Sequence, residues 1–237
     1  MDKLYIVMPA YNEESAIVNV VDEWHKVVET IGHDSKLIIF NDGSKDNTSS
    51  VLENIESKYP SLVVVSKENT GHGPTCILAY KYAIAENADW VFQTDSDGQT
   101  RSSDFWHFWK KRNIYDFITG YRPKRGDGLV RWFISQMLKL VIFIIFKEII
   151  KDANTPFRLM KVERLREYMP AIPSDFFLPN VLLSVMIIKN KENISWQEIT
   201  FAPRASGVSS IPMAKFGKLG ITLIKQLYKM RNTKNLR

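Results

Sequence analysis

The stretch Trp90–Asp97, WVFQTDSD, places two carboxylates directly after a short run of β-forming residues. A short apolar run that ends in polar residues is typical of a buried strand followed by a loop. Asp95 and Asp97 can share one hard cation, because Mg²⁺ and Mn²⁺ take one or two carboxylates and leave positions for phosphate oxygens. The alternative is an exposed turn, since Asp-x-Asp-Gly is also turn chemistry.

Three earlier apolar runs predict further strands at Leu4–Met8, Leu37–Phe40 and Leu62–Ser66, and helical spacing predicts helices over Glu13–Ile31 and Pro74–Glu86. Strands that alternate with helices indicate an α/β fold with a mainly parallel sheet. Ligands bind beyond the carboxyl ends of the strands in such sheets. We therefore expect three polar loops to open onto one edge: Tyr11-Asn12-Glu13, Asp42-Gly43-Ser44 and Asp95-Ser96-Asp97.

The 237 residues have globular composition, with 45% hydrophobic and 24% charged residues. Intrinsic disorder and fibrous architectures are therefore excluded. The single cysteine, Cys76, excludes an internal disulfide and a cysteine-cluster metal site, and four scattered histidines argue against a histidine zinc site. The N-terminus carries no signal-peptide pattern, and we expect a reducing compartment.

Charge is distributed unevenly along the chain. Residues 1–100 hold 7 basic and 16 acidic residues, whereas residues 101–237 hold 25 basic and 10 acidic residues. This asymmetry suggests that the second half meets nucleic acid, an anionic membrane or a phosphorylated substrate. Residues 211–237 contain seven basic residues and no acidic one, and their spacing predicts a basic amphipathic helix. Such a helix can lie on an anionic membrane or pack on the domain with a solvated lysine face.

The longest apolar region, Leu129–Ile150, is interrupted by Arg131, Lys139, Lys147 and Glu148. It therefore lacks the ~20 mostly apolar residues of a membrane-spanning helix. Its spacing predicts an amphipathic helix whose second half is apolar all round. Two interpretations stay open, a core helix and a helix in the membrane interface.

Four ordered motifs resemble those of the family 2 glycosyltransferases: Pro9-Ala10-Tyr11-Asn12-Glu13, Asn41-Asp42-Gly43-Ser44 with Asp46 and Thr48, Asn69 with Gly71, and Asp95-Ser96-Asp97. The resemblance covers roughly residues 3–210. It implies the GT-A fold, a UDP- or GDP-linked sugar donor, and Mg²⁺ or Mn²⁺ as cofactor. We expect a GT-A domain over 1–210, with a Rossmann-like sheet, a nucleotide-sugar half at 1–100 and an acceptor half at 101–210. A basic amphipathic segment at 211–237 follows.

The second half resembles the polyprenyl-phosphate sugar transferases, a branch that includes dolichyl-phosphate mannose synthases. The matching residues are Gly120-Tyr121-Arg122, the apolar helix, Asp152 with Phe157-Arg158-Leu159, and Pro203–Ser209. Pro156 stands where this branch usually carries glycine. The proline ring fixes the backbone φ at about −65°. The resemblance implies an inverting transferase that is peripheral on the cytoplasmic face of the membrane and does not bind nucleic acid.

The resemblance also implies roles for individual residues. The donor contacts are Pro9, Ala10, Tyr11, Glu13, Asp42, Gly43, Gly71, Asp95 and Ser96. The metal ligands are Asp95 and Asp97, with Gln99 as a third candidate. Guanidinium forks match phosphate oxygens, and we expect two or three of five arginines to reach the acceptor phosphate. The acceptor-site candidates are Arg122, Arg125, Arg131, Arg158, Arg204, Ser206 and Ser209.

Asp152 and Asp97 are the predicted catalytic carboxylates, and the hypotheses differ on Asp152. If the acceptor is a hydroxyl of a saccharide or of a lipid-linked acceptor, Asp152 acts as general base. A phosphate monoester is already nucleophilic at neutral pH, because its second pKa is about 6, so Asp152 would then orient the acceptor or contribute to the metal environment. A nucleotide- or nucleic-acid-binding module is a third hypothesis, which the acidic pair and the lack of nucleic-acid motifs disfavour.

Overall fold

The computed structural model describes residues 2–123, 129–202 and 216–233. Its strands are β1 Leu4–Ala10, β2 Lys36–Asp42, β3 Leu62–Lys67, β4 Trp90–Gln93, β5 Phe117–Tyr121, β6 Arg158–Lys161 and β7 Ile194–Glu198. Its α-helices are α1 Ile17–Ile31, α2 Thr48–Glu56, α3 His72–Ala85, α4 Ser102–Trp109, α5 Leu129–Phe146, α6 Val162–Tyr168, α7 Pro179–Lys189 and α8 Phe216–Met230. A short 3₁₀ helix, Met169–Ala171, follows α6.

The described strands form one sheet in the order β3-β2-β1-β4-β6-β5-β7. The four N-terminal strands pair in parallel, which confirms the expected α/β fold. β6 runs antiparallel between β4 and β5, and β7 pairs in parallel with β5. The sheet is therefore mostly parallel, and its carboxyl edge collects the loops that follow β1, β2 and β4.

Helices cover both faces of the sheet. All seven residues of β1 are buried, and alternate side chains enter different cores. Tyr5 and Val7 belong to the core under α3 and α7, whereas Ile6 and Met8 belong to the core under α1 and α4. This alternation follows from the two-residue period of a strand. It explains why β1 is apolar throughout instead of alternating with polar residues.

The two amphipathic segments of the second half lie against each other. α5 contacts α8, and Ile142 and Phe146 of α5 share a core with three residues of α8, namely Leu223, Leu227 and Met230. The prediction that α5 continues to Ile150 was wrong, because the helix ends at Phe146. Within the residues described, no helix is long and apolar enough to cross a membrane.

Candidate functional site

The three polar loops meet at one edge of the sheet, as the sequence predicted. The backbone N–H of Asn12 donates to Ser44 Oγ (3.0 Å), and Asn12 Oδ1 accepts from the Lys45 N–H (2.8 Å). Ser96 Oγ donates to the Pro9 carbonyl (2.8 Å). The loop after β1 therefore binds to the loop after β2, and the end of β1 binds to the loop after β4, so that the three loops form one polar surface.

Asp42 ends β2 and is buried under the segment that follows β3. Its Oδ1 accepts from the Thr70 N–H (2.9 Å) and its Oδ2 from the Gly71 N–H (2.9 Å), and Lys67 forms an ion pair with it. Gly43 has a φ of 62°, and a side-chain Cβ there would lie 2.7 Å from Asn69 N. The Gly43 position therefore requires glycine.

Asp46 fastens the beginning of α2. Its Oδ1 accepts from both the N–H (3.0 Å) and the hydroxyl (2.6 Å) of Thr48, and its Oδ2 from the Glu14 N–H (3.3 Å). Thr48 Oγ1 in turn accepts from the Glu13 N–H (2.9 Å). Burial opposes ionisation, but the hydrogen bonds from Thr48 and Glu14 outweigh it and lower the pKa of Asp46. Asp46 thus joins the loop after β1 to α2.

The loop after β4 fits a divalent cation. Asp95 and Asp97 are half-buried, and the Gln99 N–H donates to Asp97 Oδ1 (3.1 Å) across Gly98, whose φ is 72°. The described residues hold no cluster of three or more His, Cys, Asp or Glu side chains that could bind a metal ion. Two carboxylates completed by phosphate oxygens are what Mg²⁺ and Mn²⁺ accept. This donor set therefore suits a metal that arrives with a diphosphate.

Gln99 links this loop to the second half of the chain. Its Nε2 donates to the Ala202 carbonyl (2.9 Å), and the Ala202 N–H donates back to the Gln99 carbonyl (2.8 Å). The side-chain amide nitrogen is thus engaged, and Oε1 is the atom that a metal would use. The metal role of Gln99 stays a prediction.

α3 begins at His72, next to the Asp42 and Asp95 loops. Its Nε2 lies 3.4 Å from the sulfur of buried Cys76, one turn along α3. The Cys76 sulfur and the nearby carboxylates of Asp95 and Asp42 raise the pKa of His72. His72 is exposed at the beginning of α3, where anions are favoured.

In the second half of the chain, Asp152 is paired with Arg122. Arg122 Nε donates to Asp152 Oδ2 (2.8 Å) and Nη2 to Oδ1 (3.1 Å). The two side chains are 7% and 6% exposed. The Arg122 guanidinium also lies over the Phe201 ring, 5.0 Å from its centroid. Two residues that the sequence assigned separately to the site therefore form a single buried ion pair.

Arg158 lies inside the domain, and its predicted contact with an acceptor phosphate does not fit this position. The residue is 1% exposed. Its Nε (3.1 Å) and Nη2 (2.9 Å) both donate to the Thr155 carbonyl, and Nη1 donates to the Asn180 carbonyl (3.3 Å). Its donors are thus directed at the backbone of its own domain.

The remaining acceptor candidates cannot be placed. Arg125, Arg204, Ser206 and Ser209 lie outside the described residues, and of Arg131 the structure describes the backbone alone. Their roles stay predictions.

A buried polar cluster beneath Asp95 was missed by the sequence analysis. Gln93 Oε1 accepts from Asn180 Nδ2 (2.8 Å) and from the Tyr80 hydroxyl (3.1 Å), and Gln93 Nε2 reaches Asp95 Oδ1 (3.5 Å). The one signal for it was a glutamine at the end of the apolar run WVFQ. Lys67 was missed too, because nothing in the sequence assigns a partner to a lysine at a strand end.

Comparison with known proteins identifies the family. Residues 5–172 match the family model described as Glycosyl transferase family 2. A dolichyl-phosphate beta-glucosyltransferase of Trichomonas vaginalis is 24% identical over 239 residues, covering 92% of this chain and 69% of the relative. One from Dictyostelium discoideum is 25% identical over 245 residues, covering 91% and 73%. An undecaprenyl-phosphate 4-deoxy-4-formamido-L-arabinose transferase of Shewanella sediminis is 23% identical over 145 residues, covering 60% and 43%.

Solved structures agree with this assignment at the level of the fold. Glucosyl-3-phosphoglycerate synthase of Mycobacterium tuberculosis, crystallised with Mn²⁺, UDP and phosphoglyceric acid, superimposes with a TM-score of 0.72 at 18% identity, covering 98% of this chain and 79% of that one. The matched family segment spans more than half of the chain. The chain therefore belongs to glycosyltransferase family 2 and is a glycosyltransferase with the GT-A fold.

Proposed function

We propose that this glycosyltransferase moves a sugar from a nucleotide-sugar to a polyprenyl phosphate, with inversion, at the cytoplasmic face of a membrane. One chain of contacts carries the proposal, because it joins the metal loop to the acceptor half. Asp152 binds Arg122, which lies over the ring of Phe201. The residue after Phe201 accepts a hydrogen bond from Gln99, whose own N–H binds Asp97.

The donor would lie on the acidic half of the sheet edge. The Pro9–Glu13 loop would accept hydrogen bonds from the base and ribose, since carbonyl and carboxylate oxygens accept from a base N–H and from hydroxyls. The buried Asp42 carboxylate, which already accepts from the Thr70 and Gly71 N–H groups, would hold the segment beside the donor. Asp95 and Asp97 hold Mg²⁺ or Mn²⁺ against the diphosphate. The metal would supply positive charge that stabilises the leaving nucleoside diphosphate, and the exposed His72 lies on the same side, at the beginning of α3.

The state of Asp152 favours a phosphate acceptor over a hydroxyl. A general base needs a carboxylate oxygen directed at the proton that it removes, whereas both oxygens of Asp152 already accept from Arg122. A phosphate monoester needs little help from a base, because it is largely dianionic at neutral pH. Asp152 then holds Arg122 in place beside the incoming phosphate. The names of the dolichyl- and undecaprenyl-phosphate relatives support this acceptor class.

An apolar surface on α5 and α8 supports membrane contact. Most of the exposed large apolar side chains that the structure describes lie on α5, directly after it, or on α8: Trp132, Phe133, Met137, Leu140, Phe143, Ile144, Ile149, Ile221, Ile224 and Tyr228. Exposed lysines, including Lys147, Lys225 and Lys229, lie on the same elements. Apolar side chains combined with lysines favour the interface of an anionic membrane. This surface would bring the site to a lipid-linked acceptor.

A panel of nucleotide-sugars tests the proposal. The purified protein is incubated with each UDP- and GDP-linked sugar and Mn²⁺ or Mg²⁺, with and without farnesyl phosphate. With one of these donors, we expect the nucleoside diphosphate to be released faster when farnesyl phosphate is present. The product should be a sugar attached to farnesyl phosphate, with the anomeric configuration inverted relative to the donor. Release that responds to a saccharide but not to farnesyl phosphate would identify the hydroxyl acceptor instead.

A further inference from the structure

Arg158 is a buried cation without a carboxylate partner in the described part of the chain. It opens β6 and pairs with Gln93 across the sheet, at the carboxyl edge of β4. No carboxylate of the described residues lies within ion-pair distance of it, and burial lowers its pKa. Placing a charge inside a domain without a counter-ion is costly. An apolar side chain would fill this place more cheaply, so the guanidinium serves something other than packing.

The guanidinium holds the loop that follows Asp152. Its Nε and Nη2 bind the Thr155 carbonyl, and Nη2 also lies 3.5 Å from the Ala153 carbonyl. Ser184 Oγ lies 3.1 Å from the same Ala153 carbonyl. The Asp152 side chain is held from the other direction by the fork of Arg122. The loop is therefore fixed between two arginines, one buried under it and one at the site.

The same guanidinium reaches the metal side through Asn180. Arg158 Nη1 donates to the Asn180 carbonyl (3.3 Å), and the Asn180 side chain binds Gln93 and Tyr80, at 2.8 Å and 2.5 Å. Gln93 in turn lies 3.5 Å from Asp95 Oδ1. One buried polar layer thus runs from beneath Asp95 to the loop of Asp152.

We infer that Arg158 is a positioning residue, which sets where Asp152 and its partner Arg122 stand relative to the Asp95 carboxylate. This inference rests on the proposed function, since it takes the Asp152 loop as the acceptor side. A guanidinium suits the task because its planar fork directs several donors at fixed angles, which a lysine cannot do. Arg158→Lys should therefore keep the charge and lose the geometry.

Kinetics with UDP-glucose, Mn²⁺ and farnesyl phosphate test the inference on Arg158→Lys and Arg158→Met. The matched control is Arg164→Lys. Arg164 lies on α6, beyond the opposite end of β6, and unlike Arg158 it pairs with two carboxylates, Glu167 and Glu192. We expect kcat to fall by about 10- to 100-fold in Arg158→Lys, because small misplacements are costly to transfer rates. UDP–Mn²⁺ affinity should stay within about threefold, and the control should keep its kcat.

Hydrogen exchange separates positioning from a general loss of stability. In Arg158→Lys we expect faster exchange confined to the amides of Ala153, Asn154, Thr155 and Phe157, whereas a destabilised chain exchanges faster throughout. Wild-type kcat in Arg158→Lys, or unchanged exchange in this loop, would overturn the inference. If the wild-type protein binds UDP–Mn²⁺ but transfers nothing to farnesyl phosphate, the proposed function fails on its own. Hydrogen exchange then still decides the role of Arg158.

Discussion

Arg122 and Asp152 lie 30 residues apart in the chain and meet through two parallel hydrogen bonds, with side chains that are 7% and 6% exposed. The sequence predicts a role for each residue on its own. Together they form one unit, in which each side chain holds the other in place through the two hydrogen bonds. Any change to one of them therefore acts on both.

The pairing predicts strong coupling between the two side chains. Arg122→Met leaves the buried Asp152 carboxylate without its main partner and should cost about 3–5 kcal/mol of unfolding free energy. The double variant Arg122→Met/Asp152→Asn should cost less than the single one. Urea unfolding measures both. Lys26→Met is the control, because its exposed pair with Asp22 should be worth less than about 1 kcal/mol. A loss in the double variant that equals the sum of the losses in Arg122→Met and Asp152→Asn would show that the pair is not coupled.

Asp152→Asn separates the two acceptor classes. With a phosphate acceptor we expect a loss of rate below about 100-fold and an unchanged shape of the pH–rate profile, because no proton has to be removed. A hydroxyl acceptor predicts a loss of about 10²–10⁴-fold. In that case a limb of the wild-type profile would disappear in the variant, and Asp152 would be the base.

Asp97→Asn tests the metal site. The variant keeps the size and the Asx turn of the loop but removes one charged oxygen ligand, so we expect an unchanged melting temperature and loss of Mn²⁺-dependent UDP binding in calorimetry. EDTA should have the same effect on the wild-type protein. Asp34→Asn is the control, since Asp34 has a φ of 56° and asparagine tolerates that conformation. Metal-independent UDP binding by Asp97→Asn would refute the assignment.

The N-terminal half was predictable because its signals are local. Periodic apolar runs fixed β1 and α1, and the parallel arrangement then required Asp42 and Asp95 to lie at one sheet edge. No knowledge of distant partners was needed for these steps.

The acceptor half was less predictable because its key relationships are not local. The antiparallel place of β6 between β4 and β5 decides that Arg158 is buried, and no spacing in the sequence indicates which strand β6 joins. The motif around Arg158 suggested a ligand contact, whereas the sheet order directs its guanidinium at backbone carbonyls. Asn180 and Gln93 meet for the same reason, since their contact joins α7 to β4.

Asp46 predicts a pH-dependent contribution to stability. Its folded pKa lies below the ordinary value of 3.8, so its contribution is present above that pH and is lost as the pH falls through the folded pKa. Asp46→Ala should cost about 1 kcal/mol at pH 7, because it removes the hydrogen bonds that Asp46 accepts from Thr48. The difference from wild type should shrink below about pH 3.8. Urea unfolding at pH 7 and at pH 3 measures this, and an equal difference at both values would contradict it.

The apolar surface of α5 and α8 predicts binding to anionic liposomes. Deleting residues 213–237 is a poor test, because it removes buried α8 residues from the core as well. Phe133→Ser/Ile144→Ser/Ile224→Ser changes exposed positions alone. Full burial of one such side chain is worth about 1.5–3 kcal/mol. Even if the three side chains insert only partly into the membrane, we expect their loss to lower co-sedimentation with liposomes more than about tenfold. UDP–Mn²⁺ affinity should not change.

The matched control for this experiment is Ile114→Ser, because Ile114 is an exposed apolar residue between α4 and β5, away from both helices. It should bind liposomes like the wild-type protein. High salt should weaken wild-type binding in part, since the lysines on α5 and α8 contribute by electrostatic attraction while the apolar side chains do not. If the triple variant sediments with liposomes as the wild type does, this surface does not contact the membrane. Binding abolished by salt alone would assign the contact to the lysines instead.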